Sequence, residues 1–155
     1  MKQLATLFLT KLNPGLTVYV EYSNEVWNTA FEPANYNLAQ AKAEVAANPK
    51  SDLKYDGSTN PTTWADRRFA RRLKQIGDIF KSVWTGAGLA NPIYTRVRPI
   101  LCSQGSSLSR FDNMLKYINT VYGPPKNYFY GIGESKAARF GQEFVEEINR
   151  RIPDP

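Results

Sequence analysis

The sequence predicts an α/β protein built on a parallel sheet of three or four strands. Three observations carry this. Short β-branched and aromatic runs recur at 16–23, 94–104 and 127–132. Longer stretches with helical spacing separate them, and strands alternating with helices indicate βαβ units. The length, 155 residues, suits one domain with a core of its own.

The elements follow in order. Leu4, Leu7, Phe8 and Leu12 recur at helical spacing before Asn13-Pro14-Gly15, so the chain opens on a short amphipathic helix. In the strand at 16–23, Leu16, Val18 and Val20 face one way, Thr17, Tyr19 and Glu21 the other. An Ala-rich helix is expected at 34–47, then a polar loop, then a helix from Trp64 to Trp84. Its stripe is Phe69, Leu73, Ile76, Phe80 and Val83, and Asp66 falls in its first turn, where it suits the helix dipole. The strand at 94–104 turns apolar, as one buried on both faces does. A helix capped by Ser109 and Gly123 leads to the third strand. "ARFGQEFVEEINRRI" reads as a last amphipathic helix.

Composition removes several chemistries. There is no histidine, which excludes Ser-His-Asp and Cys-His triads and most catalytic zinc sites. Cys102 is the one cysteine, so no internal disulfide forms; inside an apolar strand it reads as an inert thiol. "GIGES" lacks the third glycine of a dinucleotide fingerprint and reads as a turn. No metal and no cofactor are expected. The net charge of +6 favours anions in general without specifying nucleic acid, which is not expected as a partner. No run of 18 apolar residues occurs, so no membrane span is expected. The opening residues lack a signal-peptide pattern, and the expectation is a cytoplasmic protein.

Chemistry in parallel α/β proteins collects at the carboxyl ends of strands. The stretch "TVYVEYSNEVWN", Thr17 to Asn28, ends its strand on Asn24-Glu25, with Trp27 beside them. Asn24 offers an amide donor. Trp27 offers a flat face for a sugar ring. Nearby rings desolvate the carboxyl group, which raises the pKa of a general acid. Glu25 has a second reading as a cap for the following helix. Glu21, mid-strand, reads as a buried carboxylate paired with Arg96 or Arg98. The tryptophans read mainly as core, and the Arg pairs at 67–68, 71–72 and 150–151 as solvated helix faces or, alternatively, phosphate contacts.

"VYVEYSNEVWN" resembles the fourth-strand motif of glycoside hydrolases with a (β/α)8 barrel, in particular a bacterial "YVEYSNEVWN" group of cellulose-active or glycosidase-like proteins. "RRFARRLKQIGDIF", "VRPILCSQ" and "YGPPKNYFYGIGES" continue the likeness, which spans about residues 4–135. The resemblance implies a partial TIM-type barrel, a half-barrel covering strands four to six. It implies Glu25 as the acid/base on a β-linked carbohydrate and Asn24 as a bond to the sugar 2-hydroxyl. Trp27, Gln104 and Tyr130 would border the sugar. The strand-seven nucleophile has no counterpart. Glu134, closing the third strand, is the one candidate second carboxylate. Strand ends two apart are about 10 Å apart at the ~4.8 Å strand spacing. That is too long for the ~5–5.5 Å retaining geometry and at the margin of the ~6.5–9.5 Å inverting one. Three strands cannot close a barrel, so a fragment is expected, or a half-barrel completed as a homodimer or higher oligomer. Two alternatives stand beside hydrolysis. One is a non-catalytic carbohydrate-binding or scaffold remnant. The other is a cleft recruited for another small-molecule reaction, such as a nicotinamide-dependent oxidoreduction.

Overall fold

Pro99 organises the sheet. It sits in the middle strand β2, Val97–Ser103, where a missing N–H would break a ladder. Pairing with β1, Val18–Val20, runs from Val18↔Val97 to Val20↔Pro99 and stops there. Pairing with β3, Gly131–Glu134, begins one residue later, at Ile100↔Gly131. The Pro99 carbonyl accepts from Tyr130 N at 2.8 Å, but its nitrogen has nothing to donate. The proline thus falls where the sheet changes partner. The computed structural model describes residues 1–104 and 107–134, with only the backbone of Glu134. The helix expected after residue 137 and Arg150-Arg151 lie outside the described residues.

The three strands among the described residues are parallel and stand in chain order, β1-β2-β3. The α/β class with a three-stranded parallel sheet is as expected from the sequence. The strands are shorter. β1 has three residues rather than eight, and β3 starts at Gly131 because Pro124 and Pro125 set a 3₁₀ turn at Pro125–Asn127. The start of the second expected strand is instead a four-residue helix, α4, Pro92–Thr95, entered through Asn91 at φ 47°. Pro92 at its first position favours that turn.

β2 alternates. Val97, Pro99, Leu101 and Ser103 are buried, while Arg98, Ile100 and Cys102 are half-buried. It is therefore covered on one face, not both. The long helix α3, Pro61–Gly86, lies on the covered face. Gly77 permits the contact, since a Cβ there would meet the Pro99 ring at 3.0 Å. Asn60 caps α3 by accepting from Thr62 N, and Pro61 opens it, so the helix starts three residues before Trp64. Asp66 is consequently in the second turn, not the first. Phe69, Leu73, Ile76 and Phe80 are buried as expected, and Trp84 is fully enclosed. Burying one such side chain contributes about 1.5–3 kcal/mol.

The other helices pack on α3. α1, Lys2–Lys11, turns Ala5, Phe8 and Leu9 inward and leaves Leu4 and Leu7 exposed, so its inner face is rotated from the expected stripe. Phe8 packs on Phe80. α2, Glu32–Ala47, lays Ala34, Ala41 and Val45 against α3. α5, Leu108–Tyr122, buries Phe111, Met114, Tyr117 and Ile118. Its N-cap is Ser107, two residues before the expected Ser109, and Gly123 ends it at φ 98°. Among the described residues no helix is long and apolar enough to cross a membrane.

The Arg pairs correct the sequence reading most. Arg67 and Arg68 are buried, not solvated. Arg67 donates to Asp56, to the Leu53 carbonyl and to Asn113 Oδ1. Arg68 donates to Asn37 Oδ1 at 2.8 Å, while Asn37 Nδ2 reaches the Ala65 carbonyl. Arg71 binds Glu44 and Asp52, and Asp52 also accepts from Tyr117 and Tyr122. The Arg67 and Arg71 bonds staple the polar loop 48–60 to the helices, with Leu53 fully buried in the core, and the Arg68 bond joins α3 to α2. Three of these four guanidinium groups are committed within the fold, which withdraws the phosphate contacts suggested for them. Arg72 alone is exposed.

Candidate functional site

β1 ends at Val20, and the loop 21–31 carries the candidate residues. Glu25 is not the last residue of the strand; it lies five residues beyond it. Ser23 and Glu25 both adopt left-handed backbone, at φ 62° and 45°. Non-glycine residues hold that conformation at a cost of order 1–3 kcal/mol, and such residues cluster at functional sites.

The loop is fixed around Asn28. Its backbone N–H donates to the Glu25 carbonyl at 2.9 Å, and Phe31 N donates to the Asn28 carbonyl at 2.9 Å. Its Oδ1 accepts from Ala30 N at 3.1 Å, and its Nδ2 donates to Glu25 Oε2 at 2.9 Å. Glu25 is half-buried, with its carboxylate turned to Asn28. It does not cap the next helix: α2 has Phe31 as N-cap, with no side-chain cap bond. Asn24 is exposed, and the amide on Glu25 comes from Asn28 instead.

Val26 is buried and separates two hollows. On one side Tyr22, Ser23, Val26, Glu32, Pro33 and Tyr36 line a depression of about 380 Å³. Tyr22 is steadied against Phe69, ring centroids 5.9 Å apart, and the Arg68 guanidinium lies 5.8 Å from the Tyr36 ring. On the other side Trp27 and Thr29 face Thr62, Asp66 and Arg110 across a space of about 40 Å³. Burial pushes the Asp66 carboxyl up to about 6, against the pull of Arg110 and Arg67. Arg110 Nη1 is 3.8 Å from Asp66 Oδ1, an ion pair without a hydrogen bond. Trp27 is thus half-buried beside a carboxyl group that sequence reasoning had placed at a helix start.

The remaining candidates lie elsewhere. Tyr130 packs on the Arg98 guanidinium at 4.4 Å and against Tyr94. Arg98 is level with Tyr19 in the register and donates to the Tyr19 hydroxyl at 2.7 Å. Tyr130 therefore sits over the amino-terminal part of β2 and not on the loop. Gln104 is exposed just past β2, where its carbonyl accepts from Ser107 N. The Glu134 backbone ends β3 opposite Ser103, one strand removed from β1 on the far edge of the sheet.

Glu21 does not pair with Arg96 or Arg98. It lies past the end of β1 beside Cys102, on the face of the sheet that the helices leave open. Burial raises the Glu21 pKa, and burial with the Glu21 carboxylate beside it pushes the Cys102 thiol up to about 12. Among the described residues no group of His, Cys, Asp and Glu could hold a metal ion.

Sequence reasoning missed Asn28, Asp66 and Tyr36. Asn28 stands near Glu25 in the sequence, but its bond to the carboxylate depends on a loop conformation that spacing does not fix. Asp66 and Tyr36 reach this region only through the packing of α2 on α3. No family model, no curated protein and no solved structure matches the chain.

Proposed function

We propose that the chain forms half of a (β/α)8-type barrel, equivalent to strands four to six, and acts on β-linked carbohydrate with Glu25 as general acid/base. One observation carries the reading: a left-handed Glu25 follows the carboxyl end of a parallel strand, its carboxylate held by Asn28 at 2.9 Å. The resemblance of Val18–Asn28 to glycosidase fourth strands supports it. So does the strand order. Parallel strands in chain order with helices between them are the repeating unit of a barrel wall.

In this reaction protonated Glu25 gives its proton to the glycosidic oxygen as the anomeric C–O bond breaks. Water supplies the hydroxyl group to the anomeric carbon, and a second carboxylate takes the proton that this water loses. Glu134 is the proposed base, in an inverting arrangement. A cytoplasmic second copy is the proposed completion of the sheet. The outer edge of β1 supports that partner: Leu4, Phe8, Val18, Ile76 and Phe80 border an apolar groove there, with Leu4, Leu7, Leu16 and Tyr19 exposed around it.

Hydrolysis of an aryl β-glycoside, lost in Glu25→Gln, is the expected result. Turnover that survives this change overturns the assignment of Glu25, and turnover that survives Glu134→Gln overturns the inverting pair. A second reading, carbohydrate binding without turnover, is favoured by the amide, rather than a second carboxylate, that meets Glu25 among the described residues. Saturable binding of an oligosaccharide with no product formed would select it.

A further inference from the structure

We infer that Asn28 is the positioning residue for Glu25, and that it leaves Oε1 as the oxygen through which Glu25 exchanges a proton. The inference rests on the proposed acid/base role for its chemistry, but its geometry stands independently.

Asn28 is itself immobilised at three points. Its backbone N–H, its carbonyl and its Oδ1 are all engaged, with Glu25, Phe31 and Ala30 respectively. A side-chain amide whose oxygen is already bonded has its donor direction set. Nδ2 then meets Glu25 Oε2 at 2.9 Å, a normal N–H···O hydrogen-bond distance. Among the described residues Oε1 accepts no hydrogen bond. The two oxygens are therefore unequal: one is occupied by a donor that cannot give up its proton, and the other is available to a ligand. A carboxyl group in proton transfer needs this asymmetry, because the proton must sit on the oxygen that faces the reacting atom. The ring closed by residues 25 and 28 also braces the left-handed Glu25, which a free loop would release.

Asn28 touches no reacting atom in this scheme. Its removal lets the carboxylate rotate, and a misplacement of about 1 Å costs about 10²-fold in rate. The test uses three variants of the whole chain. Asn28→Asp keeps the acceptor for Ala30 N and deletes the donor. Asn28→Ala deletes both, and Glu25→Ala deletes the acceptor for Nδ2. In ¹H–¹⁵N spectra the Asn28 side-chain amide should be shifted from the free-amide position in the wild type and return to it in Glu25→Ala. With an aryl glycoside, Asn28→Asp and Asn28→Ala should lose about 10- to 100-fold in kcat with little change in KM. An Asn28 amide signal indifferent to Glu25→Ala overturns the inference. So does a kcat unchanged in both Asn28 variants, or a loss confined to KM. A chain that turns over no glycoside but shows the amide response overturns the hydrolytic reading and supports the positioning geometry.

Discussion

The Arg67 guanidinium is clasped by the Asp56 carboxylate, Nη2 to Oδ2 at 2.5 Å and Nη1 to Oδ1 at 2.8 Å, with the Tyr55 ring 4.6 Å from it. The arginine is almost wholly buried, whereas the aspartate is 40% exposed. The bond ties the loop before α3 to its first turns. Leu53 and Asn113 take two more guanidinium hydrogens, so the charge enters the interior with four of its five N–H donors bonded. Arg67→Ala should therefore destabilise the fold by about 3 kcal/mol, the low end for breaking a buried pair, read as a lower urea midpoint. Arg72→Ala, on an exposed arginine of the same helix, should change it by less than about 0.5 kcal/mol. Equal losses would show that Arg67 is not a structural anchor.

Two aspartates respond to acid in different windows. The hydrogen bonds from Arg67 hold Asp56 down at about 2, from an ordinary 3.8. The unfolded chain takes up that proton first, so the Asp56 contribution is complete above about pH 4 and fades as pH falls towards 2. Asp66 has the opposite sign. Burial raises it to about 6, so between about pH 4 and 6 the folded state keeps a proton the unfolded state has lost. Stability then falls as pH rises through that window. Asp66→Asn should flatten urea midpoints between pH 4 and 6 and leave the decline below pH 4 intact. A wild-type slope that persists unchanged in Asp66→Asn would refute the buried-carboxyl account.

Two glycines of α3 make a matched pair. Gly→Ala inside a helix usually gains about 0.5–1 kcal/mol. At Gly86 a Cβ meets nothing within 4 Å, and Gly86→Ala should raise the thermal midpoint. At Gly77 the same Cβ meets the Pro99 ring at 3.0 Å and the Tyr128 carbonyl at 3.6 Å. Pro99 cannot rotate away, and overpacking costs about 1–3 kcal/mol. Gly77→Ala should thus lower the midpoint by calorimetry although it is the better helix former.

These contrasts mark what the sequence makes legible. Periodicity alone places α3 and its stripe, because Phe69, Leu73, Ile76 and Phe80 repeat on one face. The parallel sheet follows from alternation of strands and helices. Strand lengths do not follow: Pro99 and the left-handed Ser23 and Glu25 cut them short, and their effect depends on which residue each opposes. Arg67 and Arg68 read as surface because charge normally is. Acceptors distant in sequence bring them inside: Leu53 and Asp56 of the loop 48–60 and Asn113 of α5 for Arg67, and Asn37 of α2 for Arg68. At the site, the chemistry-bearing dipeptide Asn24-Glu25 is visible in the sequence, but its partner Asn28 is chosen by a loop conformation that local spacing leaves open.

Cys102 offers a test of the open sheet face. Its thiol is half-buried beside the Glu21 carboxylate, and burial with that neighbour pushes it up to about 12. The thiolate is the nucleophile towards alkylating reagents. At pH 8 the native protein should therefore react with iodoacetamide far more slowly than the urea-unfolded chain, whose thiol titrates near 9. Burial is the larger cause, so Glu21→Ala should accelerate labelling only in part. If Glu21→Ala reaches the unfolded rate while the urea midpoint is unchanged, the carboxylate and not burial controls the thiol. If native and unfolded rates coincide in the wild type, Cys102 is open to solvent and burial does not control its thiol.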